Sequence, residues 1–91
     1  MADNARKILE ALNLGFSVYG IGEFTPDIET VSVDEAMEHI EAQDETMVVL
    51  FDDGQAVGTL WIVGEEGEFD VYDWSLREDL EIIVDRLTRE D

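Results

Sequence analysis

The sequence predicts an α+β fold in one domain, residues 1–91: a three-strand antiparallel meander plus a fourth strand, packed with three helices in the order α-β-α-β-β-β-α. Three observations predict it. MVVLF, AVGTLWIV and FDVYD, between Met47 and Asp73, are β-branched and aromatic runs. Two acidic, glycine-bearing clusters, Asp52-Asp53-Gly54-Gln55 and Gly64 to Glu68, separate them as hairpin turns do. Amphipathic segments of helical period lie on both sides of that block.

Residues 3–14 read as a helix. Asp3 or Asn4 caps it, and Ala5, Ile8, Leu9 and Leu12 fall on one face. Gly15 stands where a left-handed C-terminal cap is common. Arg6 and Lys7 occupy the first turn, the wrong end for the helix dipole, so solvent is their expected surrounding. Phe16 to Phe24 reads as a short edge strand weakened by Gly20 and Gly22, and Thr25-Pro26-Asp27 as a turn.

Ser32-Val33-Asp34-Glu35 fits a capping box that opens a second helix, with Val31 placed to staple onto Ala36. Val33, Ala36, Met37 and Ile40 form its buried stripe. Asp34, Glu38, Glu41 and Glu45 recur at i, i+4, i+7 and i+11 as an acidic one. On that stripe alone, a solvated face is the favoured reading. Ser75-Leu76-Arg77-Glu78 reads as a further capping box, opening a closing helix that runs to about Thr88. Leu76, Leu80, Ile83 and Leu87 form its buried face, and Ile82 falls off that stripe. The strand AVGTLWIV is apolar at both parities, as a central strand covered on both sides would be. Trp61 and Tyr72 either extend a core or anchor a complex, the core being favoured.

Charge is the outlying property. Twenty-four acids against five bases give a net charge of −19, and no Lys or Arg lies between Lys7 and Arg77. Seventeen of the acids fall between those two cations, so the expectation is a field that nothing nearby in sequence neutralises. DNA, RNA and anionic membranes are repelled by such a surface, and cationic surfaces attracted. The hydrophobic fraction of 45% is that of a folded chain, not a disordered one.

Chemistry finds little support. The absence of cysteine removes disulfides, thiolate nucleophiles and Cys-based zinc sites, and suits a reducing cytoplasm. The sole histidine, His39, has Gln43 at i+4, so a metal site there would need distant carboxylates. Two of the three serines stand at helix starts. Asp52 with Asp53, or Asp70 with Asp73, can be drawn as acid–base pairs, but carboxylates are too abundant for that to signify. Phosphate-loop patterns are missing. The expectation is a non-enzymatic protein without cofactor or metal. The N-terminal residues lack the apolar stretch of a signal peptide, and no apolar run has the length of a membrane span, so the expected location is the cytoplasm.

In size, charge and α+β pattern the chain resembles small phage- and plasmid-encoded DNA mimics: anti-restriction proteins, anti-CRISPR proteins and the uracil-DNA glycosylase inhibitor. The resemblance rests on overall character and carries no residue-by-residue motif. It implies an inhibitor that occupies the cationic nucleic-acid-binding surface of a host defence or DNA-processing protein. Its carboxylates would stand where phosphates otherwise lie. The candidate contact set is Asp34, Glu38, Glu41 and Glu45, with Asp52, Asp53, Glu65, Glu66, Glu68 and Asp70 from the meander. An acidic adaptor or chaperone for a basic protein is the second reading, and a housekeeping domain of a halophile the third. The folded surface separates them: rows of carboxylates for a mimic, a mixed apolar and acidic patch for an adaptor, an even acidic coat for a halophile.

Overall fold

In the computed structural model, which describes residues 4–89, the elements run α1 (Ala5–Leu12), β1 (Gly15–Gly20), β2 (Ile28–Thr30), α2 (Val33–Glu41), β3 (Glu45–Asp52), β4 (Gln55–Glu65), β5 (Glu68–Leu76) and α3 (Glu78–Arg89). The fold is α+β, with one antiparallel five-stranded sheet in the order β2-β1-β3-β4-β5 and three helices. One strand more is present than the sequence reading foresaw. Glycines end the β1 pattern at Gly20, and the chain returns through Asp27, whose N–H donates to the Val18 carbonyl at 2.7 Å, into the three-residue β2. β1 is therefore not an edge: it lies between β2 and β3.

Both meander turns are tight because two successive residues adopt positive φ. Asp53 (52°) and Gly54 (80°) join β3 to β4, and Glu66 (55°) and Gly67 (83°) join β4 to β5. That backbone twist matches the twist of the flanking strands. The strands extend into the clusters expected as turns, so Asp52 pairs with Gln55, and Glu65 with Glu68. Gly64 belongs to β4, where a side chain would collide with the ring of Phe69 directly across on β5.

All three helices lie on one face of the sheet, α1 packing against both α2 and α3. Ile8, Leu9, Ile40 and Val84 meet Val18, Val48, Leu50, Leu60 and Ile62 in a single core. Helix ends depart from expectation in four places. Asn13, at φ 50°, makes the left-handed cap of α1, so Gly15 is free to begin β1. Asn4 holds the N-cap position but its side chain does not cap; Asp3 lies outside the described residues. Ser32 does cap α2, accepting from the Glu35 N–H at 3.3 Å, whereas Val31 is 83% exposed and staples nothing. Ser75 remains in β5, and α3 starts after Arg77, whose carbonyl accepts from the Leu80 and Glu81 N–H groups. The shift turns the helix so that Leu80 and Val84 are buried, with Ile83 and Leu87 only partly so.

Candidate functional site

Register places the alternate residues of each strand on the sheet face away from the helices, and no described element covers that face. Tyr19, Met47 and Trp61 stand side by side across β1, β3 and β4, and Val49, Phe51 and Val63 flank them along the strands. All six are half-buried, shaded by one another. Trp61 is therefore not part of the core between sheet and helices, and β4, although interior to the sheet, is covered on one side only. A bulge opposite Trp61 sets Tyr72 beside Asp73 and leaves Tyr72 52% exposed.

Acids border this apolar strip. Glu45, paired with Val63, and Asp70, paired with the same residue from the other side, close one end together with the opposed Glu65 and Glu68. Like charges placed directly across a strand pair are destabilising, so this arrangement is held against its own repulsion. Asp73 stands across from Trp61 on the β5 edge, and Glu29 across from Ser17 on β2 at the opposite edge. The Tyr72 hydroxyl donates to Glu45 Oε2 at 3.3 Å. Partial burial first, and then the charge of Glu45, push the Tyr72 phenol above its ordinary pKa.

The candidate acids thus divide. Glu45, Glu65, Glu68 and Asp70 gather on the open face, and Glu66 sits at the tip of the turn beside them. Asp34, Glu38 and Glu41 belong to α2, in the helical layer, and the acidic stripe stops with them because α2 ends at Glu41. Glu45 is a strand residue, so the four-acid helical stripe does not exist. Asp34 is paired with Arg6 at 2.6 Å and Asp52 with Arg77 at 3.0 Å. Cations remote in sequence therefore do neutralise part of the field. Arg77 is held still more firmly protonated, first by Asp79 and then by Asp52, and the same contact holds Asp79 below its ordinary pKa. Asp53 projects from the β3–β4 turn at the other end of the sheet from Glu65.

No family model, curated protein or solved structure matches the chain. Among the described residues no group of three or more His, Asp or Glu side chains is arranged to hold a metal ion, and His39 is half-buried on α2. No helix among them is long and apolar enough to cross a membrane. What sequence reasoning missed is the open-face strip. Its signal was present in AVGTLWIV and MVVLF, which are apolar at both parities, but double parity says only that both faces are apolar, not that both are covered.

Proposed function

We propose that this protein is an acidic inhibitor that lays its open sheet face on the basic, nucleic-acid-binding surface of another protein and so excludes the nucleic acid. The observation that carries the reading is the strip of Tyr19, Met47, Val49, Phe51, Trp61 and Val63, bordered by Glu29, Glu45, Glu65, Glu68, Asp70 and Asp73. Apolar anchors at the centre with a charged rim are the anatomy of a protein–protein interface. An even acidic coat, as halophilic adaptation would produce, accounts for the rim but not for six large apolar residues on one uncovered face.

Size agrees with the reading. Four strands at ~4.8 Å spacing and about eight residues at ~3.3 Å give a flat footprint of roughly 500 Å². Side-chain relief brings that toward the ~800 Å² that each partner contributes to a stable interface. The charge also selects the partner: a second copy of this chain brings another −19, whereas a groove built for phosphates brings lysine and arginine. The acids would act chiefly on encounter rate and partner choice, and the aromatic strip on residence time.

The test has two stages. Protein immobilised through its C-terminus captures partners from bacterial lysate, beside Trp61→Ala and a Glu45→Gln/Glu68→Gln/Asp70→Asn variant, with washes at graded salt. The captured protein is then assayed for DNA and RNA binding with and without this chain. The expected result is lost nucleic-acid binding, with capture weakened by both variants and the salt slope reduced only by the charge variant. A captured protein that binds nucleic acid equally well in the presence of this chain would overturn the proposal.

A further inference from the structure

Resting on the reading above, we propose that a hollow at one corner of the open face is a receptor for an arginine side chain of the partner. The hollow has a volume of about 530 Å³ and lies where β1, β2 and the β3–β4 turn meet. That volume is within the range of small-ligand sites. Gly15 and Gly54 leave its floor and lip without side chains, while Phe51 and the exposed Val31 give it apolar walls. Glu29 lines the β2 side, and Asp53, next to Gly54, stands at the turn.

Each wall matches one part of an arginine. The aliphatic stem packs on Val31, and the planar guanidinium stacks on the Phe51 ring, where a weakly hydrated cation loses little solvation. Its N–H fork meets the Glu29 carboxylate, which makes no hydrogen bond or ion pair to any described residue. Thr30, also in the lining, is already engaged: its hydroxyl donates to Glu35 at 2.9 Å and accepts from the Ser32 N–H at 3.0 Å. Glu29 thus offers the hollow a hydrogen-bond acceptor that carries negative charge. Such a site rejects phosphate and carboxylate, and an ammonium, compact and strongly hydrated, would gain less from the Phe51 face than a guanidinium.

Hexaarginine and hexalysine peptides of equal charge are titrated into the full chain at low salt, following backbone amide shifts by NMR. Hexaarginine is expected to bind at least about threefold tighter, with shifts at Gly15, Phe51 and Gly54. Glu29→Gln and Phe51→Leu should each remove that preference, whereas Glu81→Gln on α3 should leave it. Phe51 lies outside the core, so its variant keeps the fold, which circular dichroism checks. Equal affinity for both peptides, or no shift at the three amides, overturns the arginine site. If binding then still falls in Trp61→Ala, the open-face reading survives without it; if neither peptide binds, both fall.

Discussion

The side chain of Asn4 accepts a hydrogen bond from the backbone N–H of Val71 at 2.9 Å, across 67 positions of sequence. Both residues are buried, and β5 is an edge strand. The Val71 N–H would otherwise be an open edge donor beneath α1, so Asn4 joins the start of the chain to the far edge of the sheet. Its own carbonyl accepts from the Ile8 N–H at 3.0 Å and begins α1. Asn4→Ala leaves the Val71 N–H unsatisfied, and should lower stability by about 1–3 kcal/mol in urea melts and speed exchange of the Val71 amide. Unchanged exchange at that amide would show that the contact contributes nothing.

Thr46 presents the opposite situation. It lies on the core side of β3, between Gly20 and Ile62, 1% exposed, and its hydroxyl has no hydrogen-bond partner among the described residues. Thr46→Val keeps the β-branched shape and removes the buried polar atom. It should raise stability by about 1 kcal/mol, and a loss in the same melt would mean that the hydroxyl is satisfied in solution.

Gly58 is a third point where one atom decides. At φ 154° beside the bulge at Leu50/Phe51, a Cβ there would sit 2.6 Å from the Ser75 carbonyl oxygen and 2.8 Å from the Leu76 Cα. The Leu76 side chain, whose Cδ2 is also 2.6 Å away, would have to turn aside, and the β5 backbone would have to move as well. Gly58→Ala should cost more than about 1 kcal/mol, and a variant with wild-type stability would show that β5 yields at little cost.

How much of this was legible follows from what each signal measures. The meander, its two turns and the α2 cap were readable because β-branched and aromatic runs, Asp53-Gly54 and Ser32-Val33-Asp34-Glu35 are local statements about backbone and side chain. β2 was not, since Ile28–Thr30 is too short to show a period and exists because β1 offers it an edge. Ser75 reads as a cap locally, yet pairing with Thr59 keeps it in β5, and Arg77 with Asp79 takes over the start of α3. For the site, the identity of the acids was readable but their grouping was not: α2 ends before Glu45, and only strand register brings Glu45 to Asp70 around a shared neighbour, Val63.

The loop between β1 and β2 makes a pH prediction. Glu23 has its pKa raised, first by a hydrogen bond shared with Asp27 and then by the charge of Asp27. Gln43 Nε2 donates to the other side of that pair, at 2.9 Å from Asp27 Oδ2. Because the folded value of Glu23 lies above its unfolded one, the contribution is present below the ordinary glutamate pKa and is lost as pH rises through the folded value. Glu23→Gln makes the neutral state permanent. It should raise the melting temperature at pH 7 while leaving it nearly unchanged at pH 4. Equal effects at both pH values would exclude the shared proton.

Salt tests the charge distribution as a whole. Among the described residues three arginines relieve part of the field, Arg6 on Asp34, Arg77 on Asp52 and Asp79, and Arg89 on Asp85, but Glu65 and Glu68 still face one another across β4 and β5 beside Glu45 and Asp70. At low ionic strength those repulsions are unscreened; at about 0.15 M they are cut off beyond ~8 Å. The melting temperature should therefore rise from 10 mM to 150 mM salt by roughly a few degrees. Two variants separate the causes. Glu68→Gln should flatten the rise, because it removes one member of the opposed pair. Arg77→Gln should steepen it, because Asp52 and Asp79 lose the cation between them. A melting temperature independent of salt in all three proteins would mean that the acids do not repel at these distances, and would remove the electrostatic half of the proposed interface with them.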